Sequence, residues 1–292
     1  MELKGLSALP QNDLQGKRMN RMICTTVALF GVILSLSSGC KKDDNPTAPA
    51  ALADSTSLTG WTLVWHDEFN VSTIDPATWN FEVNGDGGGN NELQYYTHEA
   101  RNAFIEDGTL VIQALKEEYL GKHYTSARMT TAHKKDWLYG RVDVRAKLPR
   151  GKGLWPAIWM MPTDGFYGGW PASGEIDIME LLGQEPGKVY GTVHWQENGQ
   201  HLSSGSSYVL PGGKRFSDDF HLFTFEWSVD SLKWYVDGTK YHVEHNGPPF
   251  DKRFFLILNV AVGGNWPGSP DATTVFPQYM QVDYVRVYSK KD

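Results

Sequence analysis

Residues 174–183 read Gly-Glu-Ile-Asp-Ile-Met-Glu-Leu-Leu-Gly, and they restrict the fold more than any other stretch of the chain. Glu175, Ile176, Asp177 and Ile178 alternate acidic and apolar, the period of a strand with one wet and one buried face. Strict alternation would put Met179 on the acidic face and Glu180 in the core. An unpaired carboxylate in an apolar layer is costly, so the pattern predicts one extra residue at Ile178–Met179, a β-bulge. The bulge returns Glu180 to the face of Glu175 and Asp177. Three carboxylates on one strand face repel one another, and acid–base chemistry is the use that such crowding suggests. The exposed acidic face of a lectin-like sandwich is the alternative reading of the same residues.

The rest of the chain reads as strands too. Apolar or alternating runs at 109–115, 140–147, 188–195, 221–227, 233–236, 254–262 and 281–288 are separated by Gly, Asn, Asp and Pro. No stretch longer than about ten residues keeps a helical period. Many strands without helices predict an all-β sandwich of two antiparallel sheets, in a single domain over 59–290. The glycine-rich 86–91 neither ends in Gly-Lys-Ser/Thr nor leads into a helix, which argues against a phosphate loop.

Ahead of this domain, residues 17–40 have the order of an export signal: basic Lys17, Arg18 and Arg21, an apolar stretch over 22–36, then Ser37-Ser38-Gly39-Cys40. The ending resembles a bacterial lipoprotein cleavage site, with Cys40 the lipidated residue, although Ser37 stands where leucine is usual. Residues 1–40 are thus expected to be a leader and 41–58, rich in Pro, Ala, Ser, Thr and Asp, a flexible tether. This places the protein at the bacterial outer membrane or cell surface, touching membrane only through lipid on Cys40. Both cysteines, Cys24 and Cys40, lie in that leader, so no disulfide is expected in the domain.

A formal charge of −7 argues against nucleic acid or an anionic membrane as partner. The 11 tryptophans suit stacking on sugar rings, and they suit a sandwich core equally well. His66, His98, His123 and His133 show no paired spacing with Cys or carboxylates, so no catalytic transition metal is expected.

Glu175-Ile176-Asp177-Ile178-Met179-Glu180 resembles the bulged active-site signature of glycoside hydrolase family 16, as found in bacterial laminarinases, the endo-β-1,3-glucanases. The resemblance extends over 61–288, through Val64-Trp65-His66-Asp67-Glu68-Phe69, Asn90-Asn91-Glu92-Leu93-Gln94-Tyr95-Tyr96, Trp155-Pro156-Ala157-Ile158-Trp159 and Val282-Asp283-Tyr284-Val285-Arg286-Val287-Tyr288. It implies a concanavalin-like β-jelly roll with a glycan cleft on its concave face. It further implies endo-hydrolysis of β-1,3-glucan with retention, Glu175 as nucleophile, Glu180 as acid/base and Asp177 tuning both, with His194 close to the acid/base. Bulged spacing separates Glu175 and Glu180 by roughly 13 Å between Cα atoms at about 3.3 Å per residue. Side chains leaning together across Asp177 can approach the carboxyl separation of about 5–5.5 Å that retention requires.

By the same resemblance Asn91, Glu92 and Arg128 meet sugar hydroxyls, Trp155 and Trp159 line the cleft, and Trp170 stands at its edge. No cofactor is implied for the chemistry. A structural calcium ion is, at Glu68, Gly108 and Asp283, where main-chain carbonyls can contribute; an arginine would serve Asp283 as well. A polysaccharide is the expected partner and a monomer the expected state. Mixed-linkage glucan or agarose as substrate, and a non-hydrolytic glucan-binding protein, are the alternatives; the intact Glu175, Asp177 and Glu180 speak against the last.

Overall fold

β-Branched and aromatic residues alternate with polar ones after residue 60, and strands form wherever that alternation runs. The computed structural model describes residues 58–291, so the leader 1–40, its Cys40 and nearly all of the tether lie outside the described residues. Among the described residues there is no α-helix, only a short 3-10 turn at Pro211–Gly213. Gly140–Lys147, His221–Trp227 and Phe254–Val262 have the bounds the sequence predicts, while Thr109–Tyr119 and Gln278–Lys290 run longer. Gln200–Val209 has no apolar alternation to announce it. It is folded back by Asn198 and Gly199, whose φ values of 52° and 78° form the turn whose twist matches a hairpin.

The strands make two sheets. The seven-stranded sheet runs in the order Gln200–Val209, Lys188–Glu197, Glu175–Leu181, Leu154–Pro162, Phe254–Val262, Arg128–Thr130 and Asn80–Phe81. The ten-stranded sheet is built around Gly140–Lys147 and Gln278–Lys290. It departs from the fully antiparallel expectation at one pairing, Gln94–Tyr96 with Lys122–Ser126, which is parallel. Inward side chains of both sheets form one core, with Ile176, Ile178, Met179 and Leu256 from one and Val144, Phe223, Phe225 and Trp234 from the other.

The predicted bulge is present. Towards Lys188–Glu197, Asp177 faces Thr192 and Glu180 faces Tyr190, so three steps oppose two. Towards Leu154–Pro162, Asp177 faces Trp159 and Met179 faces Ile158, so two steps oppose one. The extra residue lets Ile178 and Met179 both enter the core, at 2% and 0% exposure, and turns Glu180 outward. Trp234 reaches across the core to the disturbed ladder and donates its indole N–H to the Asp177 carbonyl oxygen at 2.8 Å. Glycine at 191 admits that ring, since a Cβ there would stand 2.5 Å from Trp234 Cδ1.

Replacing Trp234 by Phe should therefore remove a hydrogen bond from a buried carbonyl and open a small void. The expected cost is about 2–4 kcal/mol, read as a lower denaturation midpoint. Turnover of the folded fraction should fall as well, because the bulge orients three carboxylates. Unchanged stability and turnover would show that the indole does not hold the bulge.

Candidate active site

The outer face of the seven-stranded sheet carries a cleft whose floor comes from four adjacent strands. Glu175, Asp177 and Glu180 line it beside Trp155 and Trp159, Asn259 and Arg128, and the loop residues Gly88, Asn90 and Glu92 wall one side. The alternation of Leu154–Pro162 explains the tryptophans: Leu154, Ile158 and Met160 are fully buried, so Trp155 and Trp159 stand on the opposite face.

Each carboxylate has its own surroundings. Glu175 is half-buried and accepts a hydrogen bond from Trp170 Nε1. Asp177 is buried, and burial first, then the negative charge of Glu175, hold its carboxyl well above the usual range. Its Oδ2 has no aligned hydrogen-bond partner, and His194 Nε2 stands 3.2 Å from it. Reacting atoms of Glu175, Asp177 and His194 lie within 4.8 Å of one another, as the pairing of Glu175 with His194 across two strands requires. Glu180 is buried as well and accepts from Trp155 Nε1 at 2.9 Å. Burial, followed by the charges of Asp177 and Glu175, raises its carboxyl well above the usual range, against a smaller pull from the Trp155 bond.

A second polar chain fixes the floor beside the acids. Trp159 Nε1 donates to Asn259 Oδ1 at 2.7 Å, Asn259 Nδ2 to the Tyr96 hydroxyl at 3.0 Å, and Tyr96 to Glu92 Oε2 at 3.1 Å. Gln94 Nε2 joins at the same carboxylate oxygen, 2.7 Å away. Every link points toward Glu92. Burial raises the Glu92 carboxyl, and these donors work in the opposite direction. Arg128 lays its guanidinium over the Trp159 ring at 4.5 Å and pairs with Glu82 at 3.1 Å.

A carboxyl whose proton is held more tightly than usual beside a half-exposed second carboxyl, in a cleft floored by indoles, is the equipment for acid-assisted displacement at a sugar carbon. Residues 90–286 match the sequence model of glycosyl hydrolases family 16. The chain belongs to glycosyl hydrolases family 16. It is 43% identical over 279 residues to the glucan endo-1,3-beta-glucosidase A1 of Niallia circulans, covering 84% of this chain and 39% of that one. To the beta-glucanase of Rhodothermus marinus it is 41% identical over 292 residues, covering 93% of this chain and 96% of the relative. The laminarinase catalytic domain of Thermotoga petrophila superposes with a TM-score of 0.75 at 50% identity, over 80% of this chain and 99% of that one. The chain thus spans well under half of the first relative and nearly the whole of the other two. Family 16 enzymes are retaining glycosidases that need no cofactor.

The family 16 cleft gathers most of the residues singled out from sequence, with differences of detail. Glu175, Asp177, Glu180, His194, Trp155, Trp159 and Arg128 converge. Trp170 stands at the edge, 55% exposed. Glu92 lines the cleft as a buried member of its wall. Asn91 turns its amide to Asn265 Oδ1 at 2.9 Å, and its neighbour Asn90 lines the cleft instead. At the expected calcium position, Glu68 makes a two-oxygen pair with Arg286, both contacts at 2.8 Å, and Asp283 meets Arg145 at 2.6 Å. Both carboxylates are therefore neutralised by guanidinium groups and do not form a calcium cage by themselves.

Three site residues were not foreseen. Trp266 stands 41% exposed, edge-on to Trp155 at 5.6 Å and to Tyr190 at 4.9 Å, extending the aromatic wall. Its signal was a lone indole in a Gly-Gly-Asn-Trp-Pro-Gly loop. Asn259 was the one amide inside the apolar run 254–262, a buried polar group that had to find partners. His201 sits in a polar strand and gave no signal.

The raised Glu180 carboxyl makes a stability prediction. Folding binds its proton more tightly than the unfolded chain does, whose glutamates titrate near about 4.3. That contribution is complete below the unfolded value and is lost as pH rises through the folded one. Glu180→Gln keeps the oxygen that Trp155 needs and removes the ionisation. Its Tm should exceed that of the unmutated protein at pH 7, by about 2–4 °C for each kcal/mol relieved, and the gap should close below about pH 4. Calorimetry at both pH values checks this; a gap that does not change with pH contradicts the assignment.

Proposed function

We propose that this family 16 enzyme is an endo-acting hydrolase of β-1,3-glucan that works by double displacement. The observation that carries the reading is Glu180, a buried acid whose proton is bound more tightly through burial and its acidic neighbours, fixed by Trp155 in the cleft that also holds Glu175. Glu175 attacks the anomeric carbon as the glycosidic C–O bond breaks, and the Glu180 proton passes to the leaving oxygen. In the second half Glu180, now a carboxylate, takes a proton from water; the resulting hydroxide equivalent attacks the same carbon and releases Glu175. Asp177, whose carboxyl burial and Glu175 hold well above the usual range, lies beside Glu175 and stabilises its negative charge between the two steps.

The β-1,3 preference is supported by the names of the relatives and by the shape of the walls. Trp155 and Trp266 meet at 85°, and Tyr190 and Trp266 at 65°, so the rings face successive directions, as a curving chain requires. Product analysis on laminarin, lichenan, curdlan, agarose and carrageenan tests the substrate. Laminarin and curdlan should be cut best, and superior hydrolysis of lichenan or agarose would overturn the linkage. Glu175→Ala and Glu180→Ala should each lower kcat on laminarin by several orders of magnitude without unfolding the protein. Azide should then yield an α-glycosyl azide with the first variant and a β-glycosyl azide with the second. The opposite anomers would exchange the two roles.

Lipidation at Cys40 and residence at a bacterial outer membrane or cell surface belong to the same proposal, supported by the basic, apolar, cysteine order of residues 17–40. Cys40→Ala should move the protein from the membrane pellet to the soluble fraction; unchanged recovery in the pellet would exclude anchoring there. A structural calcium ion near Glu68, Gly108 and Asp283 would need main-chain oxygens beside those carboxylates and would take no part in the chemistry. A melting temperature indifferent to EDTA would remove it.

A further inference from the structure

His201 touches both supports of the nucleophile. It lies on Gln200–Val209, where Gln196 faces His201 and His194 faces Ser203, so the two histidines are diagonal neighbours on one sheet face. His201 Nε2 stands 2.9 Å from His194 Nδ1. The opposite nitrogen of His194, Nε2, faces the buried Asp177 Oδ2 at 3.2 Å. That buried oxygen has no aligned hydrogen-bond partner, and an N–H on His194 Nε2 is the neighbouring donor placed to serve it. In the His194 tautomer that carries its proton on Nε2, Nδ1 is bare, and His201 Nε2 is then the donor to it. On its other side the His201 ring packs on the Trp170 indole, with centroids 4.8 Å apart and planes at 57°. Trp170 Nε1 is the group that donates to Glu175 Oε2.

Two routes lead outward from the nucleophile and its neighbour, one from Glu175 through Trp170 and one from Asp177 through His194. Both end on His201. We propose that His201 is a positioning residue of the hydrolysis: it selects the His194 tautomer that serves Asp177, and it orients the indole that holds Glu175. Neither function needs contact with the glucan. The loss on removing it should therefore fall on the chemical step and not on substrate binding. Two side chains divide its work between them. Glutamine keeps a nitrogen donor at about the reach of Nε2, and phenylalanine keeps a ring beneath Trp170.

The inference rests on Glu175 and Glu180 acting as proposed, and the two ideas fail separately. Failure of those roles appears as retained activity or the wrong azide anomer in the glutamate variants. Steady-state kinetics of His201→Ala, His201→Gln and His201→Phe on laminarin test His201 itself, with circular dichroism to confirm folding of each. His201→Ala should lower kcat about tenfold or more, the usual loss for a partner that orients a reacting group, with KM changed less than about threefold. Glutamine and phenylalanine should each recover part of the loss. The proposal is overturned if all three variants keep the unmutated kcat, if the alanine loss lies wholly in KM, or if neither replacement is better than alanine.

Discussion

The hydrogen bond from Trp234 to the Asp177 carbonyl oxygen joins the two sheets at the point where the catalytic strand is irregular. A bulge leaves its strand with one residue more than its neighbours, and the backbone there needs a partner that no ladder supplies. Trp234 is fully buried and comes from the opposite sheet, so core packing and site geometry are the same contact. Gly191 is its complement on the adjoining strand, where any side chain would occupy the indole's place. Through this contact Ile178 and Met179 both point inward, and the three acids share one face.

Those acids are held against their own repulsion. Asp177 and Glu180 are buried beside Glu175, and desolvation is the largest influence on both. The fold answers with donors in place of cations: indole N–H groups from Trp155 and Trp170, and an imidazole against Asp177. Neutral donors orient a carboxyl without fixing it as an anion, and a group that must both give and take a proton needs that freedom. Arginine is kept one position away, where Arg128 stacks on Trp159 and pairs with Glu82. On the far side of the sandwich the opposite solution applies, and Glu68 is locked to Arg286 by two charged bonds.

Tryptophan has two separate uses in this chain, and exposure tells them apart. Trp79 and Trp234 are enclosed and pack the core, whereas Trp170 and Trp266 project beside the cleft. Trp155 and Trp159 lie between these extremes, and the indole N–H of each ends on a polar group of the floor. Each ring thereby offers an apolar face to a ligand while its polar edge is already satisfied.

The sequence by itself determined the strand character of the domain, the phase of the catalytic strand and the identity of its acids. Each follows from local rules: a period of two, and the cost of an unpaired carboxylate in the core. The bulge was legible because only one extra residue reconciles Ile178, Met179 and Glu180 with a two-sided strand. Tertiary structure decided which groups meet those acids. Trp234, Asn259, Trp266 and His201 come from distant segments, and a spacing in sequence carries no record of a contact made across sheets or between loops. Asn91 shows the same limit, since its amide turns to Asn265 while Asn90 lines the cleft. So do Glu68 and Asp283, whose carboxylates could have met a cation of either kind until Arg286 and Arg145 were brought beside them. Local periodicity fixes where a side chain points, and only the packed chain fixes what it points at.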